Sequence, residues 1–169
     1  MNKKGFTLVE LLVVVGIIVI LSSIILSDYQ TGRKQLSLQR SVHMLSQDLR
    51  RAEEMSMSAT AYNCPTGYKM KGYGINLTAG QDFYWLKARC ENTTTPGDYD
   101  DQTVGGKIDL EEGVQILSAT SSYVFFYPPD PEVVFEDSDP MEVTLCLKAD
   151  ATQAGTVQIN KAGLININE

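Results

Sequence analysis

The chain has 169 residues, 43% of them hydrophobic and 21% charged, with a formal net charge of −7. That length suits one domain with little left for a second. Nucleic acid is bound mainly by clustered Lys and Arg, so the global charge has the wrong sign for such a partner.

The first five residues, Met1 to Gly5, are short, polar and basic, with Lys3 and Lys4 as the only charges. Phe6-Thr-Leu-Val-Glu10 follows, and then an apolar run to Leu26 broken only by Gly16, Ser22 and Ser23. As a helix, Phe6 to Leu26 would be roughly 31 Å long, matching the hydrocarbon core of a bilayer. Lys3 and Lys4 would hold its N-terminal end in the cytoplasm, leaving the rest of the chain outside.

An ordinary secretory signal peptide is the competing reading. Such peptides end in a small-residue cleavage site; here only Ser22-Ser23 comes near, and apolar residues continue past it. Glu10 also argues against it. A carboxylate inside an apolar span costs on the order of 2–3 kcal/mol, less near the end, and intramembrane acids mark function.

The stretch Lys4-Gly5-Phe6-Thr7-Leu8-Val9-Glu10-Leu11-Leu12-Val13 resembles the class III signal of type IV pilins and type II secretion pseudopilins. The resemblance implies cleavage between Gly5 and Phe6 by prepilin peptidase, methylation of the new Phe6 amine, and retention of the apolar helix. It also implies that Glu10 attracts the terminal amine of a neighbouring subunit and sets the axial step of a filament. A chain cut after Gly5 loses Lys3 and Lys4, two of its fourteen basic residues, and so carries −9.

Beyond Leu26 the pattern turns amphipathic. Leu38, Val42, Leu45, Leu49 and Ala52 recur at three/four spacing, with Leu36, Met44 and Met55 broadening the stripe. Arg40, Gln47, Asp48, Arg50, Arg51, Glu53 and Glu54 lie between them. The stripe is expected to pack on the protein's own sheet, the alternative being that it is a face offered to neighbouring subunits. With no proline before Pro65, one helix is predicted from about Phe6 to about Ser58, roughly 80 Å long. Major pilins often carry proline near position 27, where this chain has Ser27.

Past Tyr62 short β-like runs are bounded by Gly, Pro, Asn and Asp. They are Tyr68 to Leu77, Phe83 to Arg89, Val114 to Ser118, Tyr123 to Tyr127, Met141 to Lys148, Thr156 to Asn160 and Leu164 to Asn168. The last two read as a hairpin around Lys161-Ala162-Gly163. The expected fold is α+β: a pilin fold, with the long N-terminal helix packed on a mainly antiparallel β-sheet domain. The expected divisions are a leader at 1–5, a membrane or filament-core half of the helix at 6–28, its amphipathic half at 29–60, and a β-rich head at 61–169. Leu45 to Glu54, Gly72 to Ile75 and Thr156 to Ile165 are similar to the GspH/FimT-like minor pilin group.

Three cysteines allow three pairings with one left over. Cys64 and Cys90 flank a predicted hairpin, which favours their union and leaves Cys146 free on a strand. His43 is the only histidine, and no phosphate loop, metal-ligand cluster or nucleophile elbow accompanies it, so no enzymatic activity and no cofactor are expected. The acidic run Asp98, Asp100, Asp101 to Asp109, with Glu111 and Glu112, invites calcium. Against an EF-hand loop begun at Asp98 it fails at Thr103 and Asp109; a solvated acidic loop is the expected form. Pro128 to Pro131 reads as a rigid connection, and Asn76 and Asn92 open sequons.

The expected protein is thus a structural subunit of a type IV pilus-like filament, a minor pilin or a pseudopilin. The expected partners are other pilin or pseudopilin subunits, prepilin peptidase, an inner-membrane assembly platform with its ATPase motors, and membrane lipid before assembly. Two rival readings remain. One is a secreted adhesin or binding domain with an ordinary signal. The other is a DNA-uptake receptor at a pilus tip, which is at odds with Lys107 being the only basic residue in 91–142.

Overall fold

The computed structural model describes residues 7–129, 132–136 and 139–168, with the side chains of residues 24–28, 30 and 31 left aside. Helix α1 runs Leu8–Met57, 50 residues without a proline. The chain divides into two compact units, Met1–Leu36 and Ser37–Glu169. The division falls within α1, so its amphipathic part from Ser37 onward belongs to the same unit as the sheets.

In that second unit, nine strands follow α1: β1 Tyr68–Asn76, β2 Phe83–Asn92, β3 Tyr99–Asp109, β4 Val114–Ala119, β5 Tyr123–Tyr127, β6 Glu132–Val134, β7 Met141–Leu147, β8 Asp150–Ile159 and β9 Ile165–Asn168. They form one five-stranded sheet in the order β3-β2-β1-β5-β6 and one four-stranded sheet in the order β4-β7-β8-β9. Every described pairing is antiparallel. The fold is α+β, an N-terminal helix on a mainly antiparallel β-sheet domain, as expected for the pilin fold.

The three/four stripe does what its spacing requires. Val42, Leu45, Leu49 and Ala52 are fully buried and Leu38 nearly so. They share one core with Tyr73, Ile75, Tyr84, Leu86, Val124 and Phe126 of the larger sheet and Val143, Leu145, Val157 and Ile159 of the smaller. Alternation along the strands puts these side chains on the helix-facing side. Burying each large one is worth about 1.5–3 kcal/mol.

Polar bonds fix the position of the helix on the sheets. The Tyr73 amide donates to Ser56 Oγ at 2.7 Å, and the Tyr73 hydroxyl donates to the Thr60 carbonyl at 3.0 Å. Tyr84 donates to Asp48 Oδ2 at 2.6 Å. Burial pushes the Tyr84 phenol well above its ordinary range, and the neighbouring Asp48 carboxylate adds to the effect. Nearer the start of this unit, the Glu111 amide donates to Ser41 Oγ at 3.1 Å.

The helix ends by a left-handed turn at Ala59, where φ is 48°. The Ala59 amide bonds the Ser56 carbonyl and the Thr60 amide bonds the Met55 carbonyl, both at 3.1 Å. This is the Schellman arrangement, in which glycine is the usual residue at the left-handed position.

The acidic stretch expected as a loop is strand β3, at the edge of the larger sheet and paired along its length with β2. None of its residues is fully buried, so no apolar alternation betrays it. β6 also lay outside the expected strands, and β8 starts at Asp150 rather than Thr156 because its first half is polar and exposed.

Candidate functional site

The first turn of α1 is built by Thr7. Its carbonyl accepts from the Leu11 amide at 3.2 Å, and its hydroxyl Oγ1 accepts from the Glu10 amide at 3.3 Å. Thr7 is therefore the N-cap and Glu10 the third helical residue, the Thr-x-x-Glu spacing of a capping box. An acid in that turn lies at the positive end of the helix dipole. Glu10 thus belongs to the geometry that starts the helix, besides any role toward a neighbour.

From Leu8 to Leu21 the large apolar side chains are all exposed, from 47% at Val14 to 79% at Leu8. Val and Ile crowd this stretch from Val13 to Ile20, and an apolar helix surface of this extent has no stable place in water. It needs lipid or other apolar helices around it. The Ser23 hydroxyl donates to the Val19 carbonyl at 2.9 Å, the way a serine satisfies itself where water is scarce. Among the described residues no helix is long and apolar enough to cross a membrane. Within the apolar run the side chains are described from Leu8 to Ser23, 16 residues or about 24 Å of helix. The leader, the proposed cleavage residue Gly5 and the proposed methylation site Phe6 lie outside the described residues.

The remaining candidate residues lie in the second unit. Cys64 and Cys90 are joined by a disulfide, and Cys146 is a buried free thiol. The bond ties the segment after the helix to β2. Asp98, Asp100 and Asp101 are close in sequence but turn to different partners. Asp98 Oδ2 accepts from Tyr68 and Asn92, at 3.3 and 2.9 Å. Asp101 is held by Arg89 through Nε at 2.7 Å and Nη2 at 2.6 Å. Asp100, opposite Cys90, is the strand neighbour of Asp101 and so belongs to the other face. Among the described residues no group of His, Cys, Asp or Glu is arranged to hold a metal ion. His43 is an exposed residue of the helix.

Arg89 is the side chain that reading the sequence missed. Although buried, it donates bidentately to Asp101 and, at 3.3 Å, to the Tyr127 hydroxyl. Its guanidinium lies 3.7 Å from the Phe125 ring centroid, 4.7 Å from that of Tyr123 and 4.9 Å from that of Tyr99. Burial alone would lower its pKa; the bonds to Asp101 and Tyr127 more than reverse this and hold the cation firmly charged. A Cβ at Gly74 would lie 2.5 Å from Phe125 Cδ1, so glycine there lets the ring lie over β1. The alternation Tyr123, Phe125, Tyr127 was the available signal.

Residues 1–26 match a family model described as the prokaryotic N-terminal methylation motif. The match covers the basic leader and most of the apolar segment, a motif of the type IV pilin-like prepilin kind. No curated protein and no solved structure matches the chain.

Proposed function

We propose that this protein is a structural, non-enzymatic subunit of a type IV pilus-like filament, a minor pilin or a type II secretion pseudopilin. It is inserted in the inner membrane with its N-terminus in the cytoplasm, cut after Gly5, methylated on Phe6, and drawn by an assembly platform into the fibre. The observation that carries this reading is the conjunction at the N-terminus: a methylation motif over residues 1–26 leading into a helix whose apolar surface is exposed on every side. An ordinary signal would be discarded, whereas a filament core needs such a helix kept.

Glu10 gives the helix its specificity. In lipid or a helix bundle a lone carboxylate is costly, and a neighbour's Phe6 amine offsets that cost at one axial offset only. Filament contacts of this kind are heterologous and need not close. The β-rich unit then forms the outer surface, braced by the Cys64–Cys90 bond that an oxidising compartment permits.

Mass spectrometry of the exported protein tests the proposal. A chain beginning at methylated Phe6 supports it. A chain beginning after Ser22 supports a secreted domain with an ordinary signal.

A further inference from the structure

Four cations of the second unit are engaged by carboxylates, whereas Lys69, Lys87 and Lys161 and the helix residues Arg40, Arg50 and Arg51 join none of the described ion pairs. On the sheets, Lys71, Arg89, Lys107 and Lys148 each meet a carboxylate, Glu91, Asp101, Asp109 and Asp82 respectively, at 2.6–3.0 Å. On the helix, Arg40 and Arg51 are exposed and join none of the described ion pairs. Eleven residues is close to three helical turns, so these two arginines and Gln47 form one line on the face opposite the core, about 16 Å long. Arg50 flanks that line, and the exposed Glu54, one heptad beyond Gln47, bounds it at the C-terminal end.

Along the sequence the acids are segregated too. Residues 91–142 hold 13 of the 21 acidic residues and one base, Lys107, while residues 33–51 hold five of the fourteen basic residues and one acid, Asp48. Within the acidic segment, Glu111 and Glu112 are adjacent and exposed in the turn between β3 and β4, and neither joins a described ion pair. Their turn is fastened to the helix by the bond from the Glu111 amide to Ser41, so the acid pair stands level with Arg40 without meeting it.

We infer that the arginine line of one copy docks against the acidic turn between β3 and β4 of a second copy's head, with Arg40 set toward Glu111 and Glu112. A patch and its complement at the same level of one subunit, on different faces, describe a side-by-side heterologous contact. Charge complementarity across such a contact fixes register and rejects wrong partners more than it adds affinity. The inference rests on the filament reading and names the surface by which heads recognise one another, apart from the apolar helix.

A charge swap in the full-length chain, expressed in the producing cells, tests it. R40E/R51E and, separately, E111R/E112R are expected to lower incorporation into sheared filaments roughly tenfold, and the four substitutions together to restore it. Processing to Phe6 and the Cys64–Cys90 bond stay as in the parent throughout. Unchanged incorporation of either pair, no recovery in the combination, or failure of R40E/R51E to accumulate as folded protein would overturn the inference. If the parent chain itself neither begins at Phe6 nor enters filaments, the filament reading fails first and this contact with it.

Discussion

Val42 on α1 and Gly155 on β8 meet so closely that a Cβ built at residue 155 would lie 2.8 Å from Val42 Cγ2. Both residues are buried, Val42 completely. The absence of a side chain at Gly155 therefore sets how near the helix lies to the smaller sheet.

Gly155→Ala is expected to destabilise the second unit by about 1–3 kcal/mol, the usual cost of overpacking. Val42→Ala removes the methyl in the way. The pair V42A/G155A should therefore cost less than the sum of the two singles by about 1 kcal/mol. Urea unfolding of the four chains in detergent measures that coupling; strict additivity would show that the contact does not govern the packing.

Ala59 carries a positive φ at the left-handed position of the helix terminus. An L-residue with a Cβ pays about 1 kcal/mol there relative to glycine. Ala59→Gly should accordingly stabilise the protein by about 0.5–1 kcal/mol, part of the gain being returned as entropy of the unfolded chain. An unchanged or lower unfolding midpoint would show that the turn is not held as described.

Arg89 bridges three strands of the larger sheet through Asp101 on β3, its own β2 and the aromatic row of β5. Arg89→Ala leaves Asp101 and the Tyr127 hydroxyl without their donor and is expected to cost about 3 kcal/mol, less than a fully buried pair because Asp101 is partly exposed. Arg89→Lys keeps the charge but not the fork, so it should fall between the two. Equal midpoints for the lysine variant and the parent would contradict the bidentate role.

Three surface carboxyls are held below their ordinary range: Asp82 by its hydrogen bond from Lys148, Glu91 by that from Lys71, and Asp150 by the hydroxyl of Thr152. Their stabilising contribution is complete above the unfolded carboxyl values near ~4 and is lost as pH falls through the lower folded values. Burial raises Glu53, which acts in the opposite sense. Melting temperature should therefore drop on the acid side of about pH 4, and D82N/E91Q should flatten that limb. An equally steep limb in the variant would assign acid sensitivity elsewhere.

The helix, its buried line and the final hairpin were legible because burial on one face writes a period into the sequence. Leu38, Val42, Leu45, Leu49 and Ala52 keep the helical period, and Val157 and Ile159 the strand period, paired as expected with Ile167 and Ile165. β3 was not legible. It is an edge strand whose role is carried by Asp101 and Thr103 meeting Arg89 and Lys87, so polar residues stand where apolar ones would have announced it. Arg89 was hidden for a related reason: its partners Asp101 and Tyr127 are 12 and 38 residues away, and no local pattern joins them. The N-terminal segment stood out as a motif, yet Thr7 as the N-cap beneath Glu10 came only with the geometry.

The most direct measurement is the incorporation of Glu10→Ala into filaments, scored against processing of the same chains. Since Glu10 is assigned to a neighbour's Phe6 amine, the variant should still be cut after Gly5 while its share of sheared filaments falls about tenfold or more. Filaments that take up Glu10→Ala as readily as the parent chain would contradict that assignment and the register it is meant to set.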